Sequence, residues 1–312
     1  MPAHASRRGV LAGAVAAFLA LAVPAFATDE IDFGPAQAGR VRATKVDAAA
    51  KLIPTDYKFV TPGKFTVAAI PNRLPFSVLA TDNKTPIGSE PDIAQLVADV
   101  LGLDLVLVPI AWADWPLGLA SGKFDAVIHN VTVTEERKEK FDFSTYRKDL
   151  LGFYVSQTSK IESISNPEDI TGLKIIVGAG TNQEQILLRW IEANKAKALA
   201  PTELQYYDDE VVLDLAVQSG RADAYFGPNA VSAFKATRQN NLKLVGTFSG
   251  GWPVTAEIAV ATRKGSGLAD AVTAALNAQI ANGNYARLLA RWNLTAEAIQ
   301  ASQTNPPGLP RK

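Results

Sequence analysis

The chain has 312 residues, 47% of them hydrophobic, with 31 basic and 31 acidic side chains and no cysteine. This length exceeds a usual single domain and predicts two compact units; the balanced charge excludes the strongly basic surface that nucleic-acid binding needs. The lack of thiols excludes disulfides and a cysteine-linked lipid, and with two histidines and no H-E-x-x-H, phosphate loop or Ser-His-Asp set, neither a cofactor nor a metal is expected.

Residues 1–27 read as an export signal: adjacent Arg7 and Arg8, an apolar stretch from Leu11 to Val23, and Ala25-Phe26-Ala27 as a cleavage site. The stretch is shorter than the ~20 residues of a membrane span. A twin-arginine route and the general secretory route both fit, and either predicts a periplasmic protein. Removal of the signal leaves 29 basic against 31 acidic residues, a net charge near −2.

Residues 28–61 form an N-terminal extension with Pro35, Pro54 and a short helix expected over Ala43 to Leu52. Lys64 to Ile70 is a β-rich run stopped by Pro71, and the loop Asn72 to Phe76 follows it. Apolar residues at 93, 96, 97, 100 and 101 follow a helical period that Gly102 ends. Strands are then expected over Leu103 to Pro109 and Phe124 to Ile128, with a helix over Trp112 to Ser121 between them. This alternation implies parallel pairing. It returns with a strand at Leu173 to Val177, helices at Gln183 to Ala193 and Val211 to Ser219, and a strand at Ala222 to Phe226. Asp149 to Val155 and Gly246 to Val260 are extended runs suited to crossing between the units, and helices are expected over Ala269 to Ile280 and Tyr285 to Trp292. The expected division is one lobe of 62–151 plus 251–304, a second of 152–250, and a disordered tail at 305–312.

The stretch Thr132-Val133-Thr134-Glu135-Glu136-Arg137, continuing to Asp142-Phe143-Ser144, resembles the T-x-T-x-E-R…D-F-S signature of periplasmic solute-binding proteins for polar amino acids, bacterial solute-binding family 3. Leu119 to Ala126, Gly172-Leu173-Lys174, Gly178 to Thr181, Gly220 to Ala224 and Asn284-Tyr285 through Arg291-Trp292 are similar to further family segments, in order, from about Lys64 to Asn293. The resemblance implies a type II periplasmic binding fold: two α/β lobes, each a mainly parallel sheet flanked by helices, joined by two hinge strands. It also implies a monomer that closes on a small polar ligand, an amino acid or related carboxylate, and delivers it to the membrane permease of an ABC importer.

A carboxylate ligand in a closing cleft needs a fixed cation, and arginine supplies a planar two-pronged donor; Arg137 is the candidate. In a charge run it equally suits a surface ion pair. By resemblance, Thr132 and Asn130 face the ligand as well. Thr181 and Asn182 open a helix whose free N–H groups attract anions, although either can be no more than an N-cap. Trp112 offers a ring for the ligand or for the core. His129 is a donor in the pocket or a satisfied structural residue. Arg73 favours a second acidic group on the ligand, or lies in solvent.

Where the family ends a strand in an aspartate for the ligand's ammonium, this chain has Pro228; Asn229, Asp208 or Asp209 replaces that acid, or the ligand lacks the ammonium. Gly88-Ser89-Glu90-Pro91-Asp92 also departs from the family pattern. The competing expectation is a lyase on the same fold, like the cyclohexadienyl dehydratases, for which only His129, Glu90 and Glu184 offer acid–base chemistry.

Overall fold

The computed structural model describes Met1 and residues 31–207, 209–239 and 241–310. Apart from Met1, the expected export signal lies outside the described residues. The elements are α1 (Asp47–Ala50), β1 (Lys64–Ala69), β2 (Val78–Leu79), β3 (Pro86–Ile87), α2 (Ser89–Leu101), β4 (Asp104–Pro109), α3 (Trp115–Ala120), β5 (Ala126–Thr132), the one-turn α4 (Glu135–Lys138) and β6 (Phe141–Lys148). Then come β7 (Leu150–Ser156), β8 (Lys174–Ile176), α5 (Asn182–Ala196), β9 (Glu203–Gln205), α6 (Glu210–Gln218), β10 (Ala224–Pro228), α7 (Asn229–Gln239) and β11 (Leu242–Ser249). The chain returns through β12 (Glu257–Arg263), α8 (Leu268–Ala281) and α9 (Asn284–Arg291).

Two five-stranded sheets result, ordered β4-β1-β5-β12-β6 and β11-β7-β10-β8-β9. In the first, β1 pairs parallel with β4 and β5, as a strand–helix–strand rhythm dictates, while β12 runs antiparallel between β5 and β6. In the second, β8 pairs parallel with β10 and β9, and β7 runs antiparallel to β10 and β11. The chain passes from the first sheet to the second at Asp149 and returns over residues 250–256. The expected second run is thus two strands in different sheets, broken by a turn in which Trp252 and Val254 donate back to Ser249 and Gly251.

Each lobe has its own core. In the second, Phe153 and Phe226 stack at 4.0 Å, Trp190 stacks on Phe153 at 6.0 Å, and Phe248 packs edge-on against all three. In the first, Trp115, Phe124, Phe141 and Phe143 fill the space under β5 and β12. Full burial of such a side chain stabilises by roughly 1.5–3 kcal/mol, so every motif on these strands sits on a rigid base.

Several resembling segments serve this base. Asp92 of α2 is buried and accepts from Arg40 (2.6 Å), Arg291 (2.8 Å) and the Trp292 ring N–H (2.9 Å), so the closing Arg-Trp pair pins α2 and draws in the N-terminal extension. Asp125 does the same for the start of β1, accepting from the Val60 and Thr66 amides and the Tyr57 hydroxyl.

The expectation of a disordered tail is corrected for the described part of that segment. Asn305 exchanges bonds with Phe143 through its N–H and its side-chain oxygen, each 2.9 Å, and Leu309 donates to Val133 and accepts from Glu135. The physical reason is that β6 is the edge of its sheet and has an unpaired side; the tail covers it.

Candidate functional site

The signature segment bridges the end of β5 and the start of β6. Thr134 caps the one-turn α4 by accepting from the Arg137 amide at 3.1 Å, and that turn aims the Arg137 guanidinium back to donate to the Thr132 carbonyl at 2.8 Å. The Arg137 guanidinium lies 5.8 Å and 5.7 Å from the ring centres of Trp112 and Trp115. Desolvation, only partly offset by Asp149 and Glu136, lowers its pKa to about 10. No ion pair to Arg137 exists among the described residues. It borders a cavity of about 250 Å³ with Trp112 and Gly180, and one of about 960 Å³ with Thr181, Asn182, Trp252 and Leu309.

Asn182 reaches the same place from the other lobe. Its Nδ2 donates to Asp149 Oδ2 at 3.0 Å and to the Gly250 carbonyl at 2.5 Å. The Thr132 hydroxyl donates to the same Asp149 oxygen at 2.7 Å, with Asn182 Oδ1 as a second neighbour at 3.1 Å. The junction therefore ties β5, α5 and both crossings together. Gly250 is required there, since a Cβ on it would lie 2.1 Å from Asp149 Oδ2. Burial pushes the Asp149 carboxyl up, against the pull of Thr132, Arg147, Asn182 and Arg137. Asp149 is a residue the sequence reading missed: a lone aspartate heading an apolar run carries no local signal of its partners 17 and 33 residues away. Thr181, by contrast, is committed within its own lobe, donating to Gly178 (2.6 Å) and capping α5.

Asn130 adopts a left-handed φ of 48°, which asparagine tolerates better than most residues. Its Oδ1 accepts from Arg147 at 2.6 Å and its amide donates to the Tyr146 hydroxyl at 3.2 Å. Arg147 is buried, paired with Glu90 at 3.0 Å and with Glu297. Burial opposes its charge, but Glu297 and Glu90 hold its pKa above the usual value. Tyr146 donates to Glu90 at 2.5 Å. This group was also illegible in the sequence, because Glu90 and Glu297 stand 57 and 150 residues from Arg147.

Arg73 does not sit in solvent: it crosses to the second lobe, donating to Glu210 at 2.9 Å and to the Tyr225 hydroxyl at 3.3 Å. Trp112 is partly buried against the first-lobe core. His129 is fully buried between Phe76 and Trp112, at centroid distances of 6.1 and 6.5 Å. β10 ends in Pro228, and Asn229 beyond it accepts from the Tyr154 hydroxyl at 3.0 Å. Of the acids considered in place of Pro228, Asp209 is used as the cap of α6, and Asp208 lies outside the described residues. Among the described residues no group of three or more metal-ligating side chains occurs.

Two α/β lobes joined by two crossings, with an arginine, an asparagine and aromatic rings meeting between them, define a two-lobed ligand-binding protein of the type II periplasmic fold. Residues 65–295 match the model of the bacterial extracellular solute-binding proteins, family 3, and the chain belongs to that family. It is 31% identical over 223 residues to the L-cystine-binding protein TcyJ of Escherichia coli K12, covering 70% of this chain and 78% of that one. Among solved structures, an ancestral arginine-binding protein bound to arginine is 27% identical, with a TM-score of 0.64 over 74% of this chain and 98% of that one. The ancestral amino acid-binding protein AncCDT-1, a precursor of cyclohexadienyl dehydratase, is also 27% identical, with a TM-score of 0.62 over 74% of this chain and 95% of that one.

Proposed function

We propose that the chain is the periplasmic receptor of an ABC importer, a monomer that takes up an amino acid or a derivative by closing its lobes over the ligand's carboxylate. The observation that carries this reading is Arg137: a partly buried guanidinium with one hydrogen bond and no ion pair among the described residues, facing cavities between the lobes. Such a cation is poised for an anion, and loss of water from the cleft strengthens the pairing. Thr132 and Asn182 flank it from opposite lobes, so a ligand there contacts both and rewards closure. The name of the cystine-binding relative supports an amino-acid ligand.

A lyase needs a free acid or base, and two of the three groups available for one are committed: Glu90 to Arg147 and Tyr146, and Glu184 to the Gly180 amide at 2.7 Å. We therefore favour binding without turnover. The test is a thermal-shift screen of ligand-stripped protein lacking residues 1–27 against amino acids, L-cystine included, and their decarboxylated analogues. Ligand at 100 times its Kd stabilises by about 2.7 kcal/mol, a shift of several degrees. The expected result is a shift by carboxylate-bearing compounds that Arg137→Ala abolishes. A shift that survives in the variant, or consumption of a compound during the assay, would overturn the reading.

A further inference from the structure

Among the buried polar atoms of the first lobe without a hydrogen-bond partner are both ring nitrogens of His129, Nδ1 and Nε2, and Nε of Arg73. Buried polar groups are nearly always satisfied, so each needs an explanation. The His129 ring lies edge-on to Phe76 and beside Trp112, and neither of its nitrogens is hydrogen-bonded to a neighbouring side chain. Arg73 is near enough for its charge to act on His129, and its Nη1 is already engaged by Glu210 and Tyr225. Burial, with Arg73 and Arg147, lowers the His129 pKa far below its ordinary value. The imidazole is then neutral, with one N–H donor and one acceptor.

The ring of Trp112 connects this place to Arg137. Arg137 lies 5.8 Å from the Trp112 ring centre and His129 lies 6.5 Å from it, so guanidinium and imidazole are at most about 12 Å apart along one aromatic wall. We infer that His129 and Arg73 form a distal subsite that takes a hydrogen-bond-accepting oxygen, an amide or carboxylate, at the far end of a ligand anchored on Arg137. The His129 N–H and the Arg73 Nε–H are its donors. A cationic far end is rejected, because it would be desolvated against Arg73. This inference rests on the Arg137 reading and adds to it the chemistry of the ligand's other end.

The test is isothermal titration of ligand-stripped protein with L-glutamine, L-glutamate and L-cystine, which carry acceptor oxygens at the far end, and with L-arginine and L-norvaline, which do not. Wild type is expected to bind at least one of the first three tenfold or more tighter than the last two, since an unmet buried donor penalises a ligand that cannot accept from it. His129→Phe keeps the aromatic packing and should remove most of that preference while leaving norvaline binding within about threefold; Arg73→Gln keeps a shorter donor but also breaks the pair with Glu210, so it should remove the same preference on top of an equal loss for every probe. Circular dichroism melts confirm folding. Arg137-dependent binding without preference, tightest binding of arginine, or equal losses for all five probes in His129→Phe overturns the subsite and leaves the Arg137 reading in place. Absence of any Arg137-dependent binding overturns both.

Discussion

At the scale of single residues the most consequential group is one the ligand need not touch. Arg147 is buried with two carboxylates and holds Asn130 at the edge of the cleft. One guanidinium cannot fully offset two desolvated acids, and burial, opposed by Arg147 but reinforced by Asp149 and Glu90, raises Glu297 to about 7. A carboxyl raised in the folded state contributes stability that is fully present below its unfolded pKa and is lost as pH rises through the folded value. Wild-type stability should therefore decline between about pH 4.5 and 7, and Glu297→Gln should lack that component of the decline, as read by urea denaturation across the range. Arg147→Leu should cost roughly 3–5 kcal/mol at neutral pH, because it leaves uncompensated acids buried; a cost under 1 kcal/mol would show that the cluster is not the scaffold of Asn130 described above.

At the scale of elements, the parts legible in the sequence were those with a local signal. The period at 93–101 with Gly102 after it becomes α2 with a left-handed C-cap, and Lys64 to Ile70 becomes β1. β6 is a strand the sequence reading leaves unassigned, because its start coincides with the Asp-Phe-Ser signature and follows a charge run. α7, one residue after Pro228, was hidden by a composition of mean polarity. The site was legible only in part: Arg137 stood in a motif, whereas the commitments of Thr181, Arg73 and Asp149 depend on partners brought together by folding.

The tail is the element whose role follows most directly from its contacts. Leu309 brackets the turn at Val133 and Glu135, two residues before Arg137, and the Gly308 amide donates to Glu135 Oε1 at 2.6 Å. A Cβ on Gly308 would lie 2.7 Å from the Thr134 carbonyl carbon, so the strap lies flat against the signature. Truncation after Ser302 removes these bonds and uncovers the β6 edge. Hydrogen exchange should then accelerate at 133–137 and 143–145 while α5 keeps its protection, and ligand affinity should fall through the loosened Arg137. Unchanged exchange at 133–137 would mean the turn holds itself.

At the scale of the molecule, two crossings leave the lobes free to hinge, so closure depends on what bridges the cleft. Among the described residues the lobes are bridged by the Asp149 junction with Thr132 and Asn182, and by Arg73 with Glu210 and Tyr225. The second is an ion pair between partly exposed side chains, each about one-fifth accessible, and Lys235 at 2.8 Å shares the carboxylate. A pair so placed is worth on the order of 1 kcal/mol after screening. That is small for stability but is about fivefold in a closed-to-open ratio. Glu210→Gln should therefore raise the open fraction of ligand-free protein about fivefold where closed predominates, visible as a larger radius of gyration in X-ray scattering. Ligand affinity should weaken only by the accompanying fall in the closed fraction, which is less than about fivefold, because the closed form is the one that binds. If the variant instead binds more tightly with an unchanged radius, Glu210 is a competitor for Arg73 rather than a latch, and the cleft is held shut by the Asp149 junction alone.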